Sequence, residues 1–141
     1  MIVTFCGHRK VQEHEKVRKW LYETVEGLIR DGVDCFYLGG YGQFDTMAAG
    51  VIRELKQKYP QIRSVLVLPY LGREYDVSGY DESIYPPLED VPRRYAISRR
   101  NEYMVDNADV VVAYVVYSFG GASKTLEYAE RKHKRIIRFN G

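Results

Sequence analysis

The sequence predicts a three-layer α/β/α protein, in which helices cover both faces of a five-stranded parallel sheet. Short apolar runs alternate with segments of helical periodicity along the 141 residues, and this alternation is typical of parallel sheets. The run Val110–Val116 is apolar without alternation, as expected of a strand that is buried on both faces. With 45% hydrophobic residues and no linker-like segment, residues 1–141 are predicted to form a single domain.

The first half of the chain contains three predicted strands and two predicted helices. The apolar runs place the strands at Ile2–Cys6, Cys35–Leu38 and Val65–Leu68. Apolar residues that recur at helical spacing predict the helices, at about Glu13–Arg30 and from Phe44 to near Tyr59. Gly32 and Pro60 follow as the expected helix stops.

The second half begins with a segment, Tyr70–Pro92, that shows neither strand nor helix periodicity and is rich in glycine and proline. A loop of this length is either a functional lid or binding loop, or a surface excursion without a role. The remaining elements are a helix, a strand, a second helix and a strand, expected at Arg94–Asn107, Val110–Val116, Ala122–His133 and Ile136–Phe139.

The expected strand order, 3-2-1-4-5, makes strands 1 and 4 neighbours at the point where the winding reverses. Ligands of such sheets bind beyond the carboxyl ends of the strands at that point. The loops Gly7–Lys10 and Ser118–Ser123 meet there, and Gly39–Gly42 lies beside them. The convergence of three loops rich in glycine or basic residues therefore predicts a ligand site.

Phosphate is the chemical group that this site is expected to hold. Gly120 and Gly121 let a ligand approach the backbone at a helix N-terminus, although a plain strand-to-helix turn has the same sequence. Arg9 and one of Arg99 and Arg100 are expected to hold phosphate by bidentate hydrogen bonds. Only one of the pair faces the site, because adjacent helical residues point about 100° apart. An arginine exposed there is expected to contribute little to stability.

Other polar residues of these loops have both a ligand-binding and a structural interpretation. Asp45 suits a contact to a ribose hydroxyl or the N-cap of its helix. His8 suits acid–base chemistry, although a single loop histidine usually has no such role. Ser123 and Thr125 suit hydrogen bonds to phosphate or within the first helical turn.

Three motifs carry a resemblance to a known superfamily: Phe5-Cys6-Gly7-His8-Arg9; Gly39-Gly40-Tyr41-Gly42 with Asp45 and Ala48-Ala49; and Gly120-Gly121 with Thr125 and Glu127. The chain resembles the SLOG superfamily, the Rossmann-like fold shared by Lonely Guy (LOG) phosphoribohydrolases and DNA-processing Smf proteins. Within it, the small YpsA-like members are the most similar. The residues expected to bind ligand are Gly7, His8, Arg9, Gly39, Gly40, Gly42, Asp45, Arg100, Gly120, Gly121, Ser123 and Thr125.

The resemblance also implies an alternative, enzymatic function. LOG enzymes cleave the bond between a base and ribose 5′-phosphate, using a Pro-Gly-Gly-x-Gly-Thr-x-x-Glu signature and an upstream Arg-Lys pair. By resemblance, Glu127 and Arg99 would be catalytic, whereas spacing alone makes Glu127 an exposed partner of Arg131. Phe119 replaces the proline, and an additional residue precedes the threonine. Binding of a nucleotide or a nucleotide-derived phosphorylated ligand is therefore favoured over phosphoribohydrolase activity.

The expected partners are a nucleotide-type small molecule and a second copy of the chain. A homodimer is predicted from the resemblance and from the 13 tyrosines. Nucleic acid is not expected, because the net charge is only +2 and no additional domain of the Smf type is evident. No cofactor, metal ion or membrane span is expected, and the cytoplasm is the expected location. Cys6 and Cys35 are predicted to be free thiols.

Overall fold

The computed structural model describes all residues, 1–141, and contains six strands and four helices. The strands are β1 (Ile2–Gly7), β2 (Cys35–Leu38), β3 (Arg63–Val67), β4 (Glu82–Ile84), β5 (Val110–Tyr114) and β6 (Arg135–Arg138). The helices are α1 (His14–Arg30), α2 (Gln43–Lys56), α3 (Ala96–Asn107) and α4 (Gly121–Arg131), and a 3₁₀ turn, Arg93–Tyr95, precedes α3. The strands form one parallel sheet in the order β4-β3-β2-β1-β5-β6.

The parallel three-layer fold predicted from the sequence is confirmed, and β5 explains why its apolar run does not alternate. Val110, Val112 and Tyr114 belong to the larger core cluster, which α1 and α2 complete on one face of the sheet. Val111 and Ala113 belong to the smaller cluster with residues of α3 and α4 on the other face. Because both faces are covered, every position of β5 is buried.

The predicted number of strands is wrong, because β4 adds a sixth strand within the predicted loop 70–92. This three-residue edge strand pairs with Val65–Val67 of β3. Asp81, just before β4, accepts a hydrogen bond of 2.8 Å from the Ser64 backbone N–H and forms an ion pair with Lys56. The sequence Glu-Ser-Ile has one apolar residue and no detectable period, so only its pairing with β3 identifies the strand.

The remaining strand order is as predicted, and it positions the candidate site. β1 and β5 are neighbours, and Gly7 pairs with Tyr114 at their carboxyl ends. β5 ends at Tyr114, two residues earlier than predicted, so Val115 and Val116 belong to the loop that leads to α4. Both cysteines are buried free thiols. None of the helices has the length and apolar character needed to cross a bilayer.

Candidate functional site

A cleft of about 330 Å³ lies at the carboxyl edge of the sheet, where β1 and β5 end. The loops after β1, β2 and β5 contribute to its lining, as do α3 and α4. The structure brings together eight of the residues predicted from the sequence: Gly7, His8, Arg9, Asp45, Arg100, Gly120, Gly121 and Thr125.

The glycine turn before α4 presents unpaired backbone donors at the cleft. Gly120 is the N-cap of α4 and has a φ of 94°, which favours glycine. The backbone N–H groups of Gly121, Ala122 and Ser123 have no hydrogen-bond partner in the protein. A Cβ atom built on Gly120 or Gly121 meets no atom within 4 Å, so the turn faces open space. An anion in the cleft can therefore approach the amides of Gly121 and Ala122, which line it, at the positive end of the helix.

His8 is buried in the cleft wall as a neutral imidazole. Its Nε2 accepts a 2.9 Å hydrogen bond from the Val116 backbone N–H, and burial lowers its pKa. A nitrogen that accepts carries no proton, so the proton of the neutral ring is on Nδ1. The ring stacks on Tyr117 at a centroid distance of 3.6 Å. His8 therefore fixes the loop after β5 and leaves Nδ1–H as a donor without a protein partner.

Arg100, and not Arg99, reaches the cleft from α3. Only 3% of Arg100 is exposed, and its Nη1 donates to the carbonyl oxygens of Val67 (2.8 Å) and Gly39 (3.0 Å). Its Nε donates to Asn101 Oδ1 at 2.9 Å, whereas Nη2 has no partner in the protein. Arg99 is exposed and does not line the cleft. The expectation of an exposed arginine is wrong for Arg100, because its guanidinium is buried and ties α3 to the sheet.

Asp45 lies near Arg100 in the first turn of α2, where Gly42 is the N-cap. The Asp45 carboxylate accepts a hydrogen bond of 3.4 Å from the Tyr41 backbone N–H. Burial raises the pKa of Asp45 to about 6, and the positive charge of Arg100 opposes this shift. A Cβ atom on Gly39 would lie 3.1 Å from both Arg100 Cζ and Asp45 Oδ2, so glycine makes room for the two charged groups.

Aromatic side chains occupy the rim of the cleft. Arg9 donates to Tyr41 Oη, and its guanidinium lies 4.9 Å from the centroid of the Tyr41 ring. Tyr117 stacks on Phe119 at 4.4 Å, and 70% of Phe119 is exposed. The sequence interpretation missed Tyr41, Tyr117 and Phe119 as site residues. The excess of tyrosine does not say which tyrosines lie at the site, and the motifs contain Tyr41 and Phe119 without indicating that their rings face it.

The other predicted site residues lie outside the cleft. Gly39 and Gly40 line a second cavity next to it, and Gly42 borders a surface depression beside Arg9. Ser123 is buried and does not line the cleft. Glu127 lies in a surface groove between α3 and α4, so its catalytic role stays a prediction that its position does not support. No group of three or more His, Cys, Asp or Glu side chains is placed to hold a metal ion.

The fold and the position of the cleft define the class of protein, a Rossmann-like α/β domain with a glycine-lined cleft at the switch point of the sheet. The chain belongs to the YspA SLOG family, whose model (YpsA) matches residues 7–136. The match covers all three motifs from which the resemblance was inferred, except the first two residues of the first motif. Membership of the SLOG superfamily is thus confirmed.

Two bacterial proteins illustrate the similarity in sequence. The UPF0398 protein BH1768 of Halalkalibacterium halodurans is 25% identical over 134 residues, which cover 84% of this chain and 70% of that protein. The uncharacterized SPbeta prophage-derived protein YoqJ of Bacillus subtilis is 24% identical over 141 residues, covering 84% of this chain and 82% of YoqJ. These names assign no activity.

Solved structures of DNA processing protein A share the fold. The Streptococcus pneumoniae protein aligns with a TM-score of 0.72 and 18% identity over 99% of this chain, and the Helicobacter pylori protein with 0.67 and 15% over 98%. The chain spans 50% and 64% of the lengths of those two structures, respectively. The H. pylori structure describes a single-stranded DNA binding mode of that protein.

These neighbours contradict the expectation that nucleic acid is an unlikely partner. The expectation rested on the net charge of +2 and on the missing additional domain. A fold neighbour that binds single-stranded DNA shows that the fold itself is compatible with nucleic acid. Net charge was a poor criterion, because it averages over the whole surface and says nothing about the charge within one cleft.

Proposed function

We propose that this domain binds a nucleotide or a nucleotide-derived phosphorylated ligand, with the phosphate in the cleft at the N-terminus of α4. The observation that carries the proposal is the pair of unpaired backbone N–H groups at Gly121 and Ala122, two residues that line the cleft, where the turn faces open space. Oriented amides at a helix N-terminus favour an anion.

Two arginines supply charge for the same anion. Arg100 has one guanidinium nitrogen, Nη2, without a protein partner, and Arg9 lines the cleft from the loop after β1. A hydrogen bond from a charged donor to phosphate is stronger than one between neutral groups. Asp45 also lines the cleft, close to these positive groups. Its carboxylate can accept a hydrogen bond from a ribose hydroxyl, whereas a phosphate group offers it no donor.

The position of Glu127 favours binding over hydrolysis of the N-glycosidic bond. A general acid must lie within hydrogen-bond reach of the atom that it protonates. Glu127 lines the groove between α3 and α4, and it is absent from the lining of the cleft that holds the unpaired amides. The phosphoribohydrolase alternative therefore requires a ligand that extends beyond the cleft into that groove.

A substitution at Gly121 tests the phosphate site without disturbing the fold. Its Cβ would enter open space, so Gly121→Ala should change the free energy of unfolding by no more than about 0.5 kcal/mol. Adenosine 5′-monophosphate should bind the wild type roughly 10- to 150-fold more tightly than adenosine does. This ratio corresponds to about 1.5–3 kcal/mol, the contribution of one hydrogen bond to a charged group. Gly121→Ala should reduce this preference, because the methyl group occupies the path of the phosphate.

Isothermal titration calorimetry with both ligands measures this preference, and Gly27→Ala is the matched control. Gly27 lies in α1 and also has no atom within 4 Å of a built Cβ, but it is remote from the cleft. Equal affinity for nucleoside and nucleotide in the wild type would rule out a phosphate site.

Single-stranded DNA is a second candidate ligand, favoured by the exposed aromatic rings at the rim. Tyr41, Tyr117 and Phe119 lie beside the proposed phosphate site, and bases stack on such rings in proteins that bind single strands. The single-stranded DNA binding mode described for the H. pylori neighbour supports the same candidate.

Fluorescence anisotropy with labelled oligodeoxythymidylate tests the second candidate. Phe119→Ala should weaken binding by roughly 1–3 kcal/mol, as expected for the loss of one stacked base. Tyr95→Ala is the control, because Tyr95 is an exposed aromatic residue outside the cleft. Affinity should fall with added salt. Equal losses in both variants, or no binding at low salt, would exclude this candidate.

A further inference from the structure

A second cavity, of about 280 Å³, lies beside the cleft at the carboxyl ends of β2 and β3. Residues 69–80, nearly the whole of the segment between β3 and β4, form one wall of it. Four of its lining residues are tyrosines, namely Tyr41, Tyr70, Tyr75 and Tyr80. Pockets for drug-sized ligands usually measure about 300–1,000 Å³, so this one suits a single small ring system.

Arg100 separates this cavity from the cleft. Arg100, Tyr41 and Ile97 line both spaces, so a ligand in one lies next to a ligand in the other. The Arg100 guanidinium is held by the carbonyl oxygens of Gly39 and Val67, and this fixes the dividing wall.

The hydroxyl of Tyr75 is a buried polar atom without a hydrogen-bond partner, and it is the only buried side-chain N or O atom in the structure of which this is true. Burial of an unpaired hydroxyl is unfavourable, so native proteins keep few such groups. Tyr75 lines the cavity, as Arg100 does. A ligand that brings an acceptor into the cavity would satisfy this hydroxyl.

The wall formed by the long segment is held in place by its own contacts. The guanidinium groups of Arg73 and Arg93 lie 4.1 and 4.9 Å from the centroid of the Tyr70 ring. Tyr70 Oη donates to the Arg93 carbonyl oxygen at 3.1 Å, which connects the segment to the turn before α3. These contacts organise the cavity before any ligand enters, so little ordering entropy is lost on binding.

We propose that the tyrosine-lined cavity receives the base of a nucleotide whose phosphate lies in the cleft, with Tyr75 Oη donating to a nitrogen or oxygen acceptor of that base. The inference rests on the proposed function and deepens it. A planar heterocycle matches the aromatic walls, and its ring acceptors match the unpaired hydroxyl. The ribose would then pass Arg100, near Asp45.

Tyr75→Phe tests the base site, because it removes the hydroxyl and keeps the ring. We expect the affinity of the preferred ribonucleoside 5′-monophosphate to fall roughly 2- to 12-fold, the equivalent of one hydrogen bond of 0.5–1.5 kcal/mol. The affinity for ribose 5-phosphate should not change. The midpoint of thermal unfolding without ligand should stay the same or rise, because the variant buries no unpaired hydroxyl.

The measurement is calorimetric titration of the four ribonucleoside 5′-monophosphates and ribose 5-phosphate into the wild type, Tyr75→Phe and the control Tyr95→Phe. Tyr95 is exposed and lies outside both cavities, so its variant should match the wild type throughout. A lower unfolding midpoint for Tyr75→Phe would mean that the hydroxyl has a structural partner, and it would overturn the inference.

The ligand series separates failure of the base site from failure of the phosphate site. If no nucleotide binds more tightly than ribose 5-phosphate, the base site is wrong and the phosphate site stands. If nucleotides bind more tightly but Tyr75→Phe equals the wild type, the base lies elsewhere, such as on Tyr117 and Phe119. If no compound binds, the proposed function fails and the base site with it.

Discussion

Arg100 has a structural function and a proposed ligand-binding function, because its guanidinium nitrogens have different neighbours. Nη1 donates hydrogen bonds to the carbonyl oxygens of Gly39 and Val67, at the carboxyl ends of β2 and β3. These bonds are structural contacts. Nη2 has no protein partner, and Arg100 lines both cavities. A substitution at Arg100 is therefore expected to lower stability as well as the proposed ligand binding, so a stability measurement has to accompany every binding measurement.

Arg100→Ala should lower the free energy of unfolding by about 2–4 kcal/mol. It leaves the buried Val67 carbonyl oxygen and the partly buried Gly39 carbonyl oxygen without their donor, and it removes the positive charge beside the Asp45 carboxylate. Urea unfolding at neutral pH measures this loss. Arg99→Ala is the matched control on the same helix and should change the value by no more than about 0.5 kcal/mol, because Arg99 is exposed. Similar values for the two variants would contradict the structural function of Arg100.

The raised pKa of Asp45 should make the protein less stable as the pH rises, whereas a carboxylate with a lowered pKa has the opposite effect. Burial raises its pKa to about 6, above the roughly 3.9 of an unfolded aspartate, so folding favours the protonated form. The stabilising contribution is complete below about pH 4 and is lost as the pH rises through 6. Its size is about 2–3 kcal/mol, from about 1.4 kcal/mol for each pKa unit.

Comparison of the wild type with Asp45→Asn isolates this contribution, because other titrating groups cancel in the difference. The free energy of unfolding of the wild type, minus that of the variant, should decrease between pH 4 and pH 7. Urea titrations at both pH values measure it. A difference that is constant or increases with pH would show that the pKa of Asp45 is not raised.

At the scale of elements, β1 and α2 approach each other so closely that only glycine fits at the end of the strand. A Cβ atom on Gly7 would lie 2.2 Å from a ring carbon of Phe44, and that ring is fully buried. The first strand can therefore end at the cleft only if position 7 has no side chain. This contact explains Gly7 by packing, without any ligand.

Gly7→Ala should destabilise the protein by at least about 2 kcal/mol, because the added methyl group forces Phe44 from its place in the core. Gly27→Ala, in α1, should instead stabilise it by about 0.5–1 kcal/mol, because its methyl group meets no atom and alanine favours the helix. Thermal and urea unfolding of both variants measure the contrast. A tolerated Gly7→Ala would show that α2 can move away from β1.

At the scale of the whole molecule, exposed apolar side chains concentrate around the carboxyl edge of the sheet. Tyr41, Ile97, Tyr117 and Phe119 all lie at or beside the cleft. The homodimer predicted from the sequence, with tyrosines on its helix faces at the interface, stays a prediction. The helices themselves carry only one of the large exposed apolar residues, Ile97.

Light scattering at increasing protein concentration tests the homodimer and should give a mass near twice that of one chain. An interface formed by tyrosine rings is stabilised by burial of apolar surface, which salt does not screen. The dimer should therefore persist at high salt. Phe119→Ser provides a comparison, because it removes an exposed ring at the cleft and should leave a helix-face dimer intact. A monomer at every concentration would contradict the prediction.

The local elements of this protein could be predicted from the sequence alone. The apolar run of β5, the glycine turn and the helical spacing of apolar residues in α2 each depend on residues close together in the chain, so their spacing carries the information. The strand order followed from the connection rules, and with it the position of the cleft. Eight candidate residues met there because carboxyl ends of parallel strands share one edge.

Only the tertiary structure decided which side chains face the cleft and which other spaces lie beside it. The rotation of α3 about its axis buries Arg100 and exposes Arg99, and no local pattern separates two adjacent arginines. β4 forms through pairing with β3, and the tyrosine-lined cavity forms because residues 69–80 lie against β2 and β3. Glu127 lies in the groove between α3 and α4 for the same reason: helix rotation and packing depend on contacts between residues far apart in sequence.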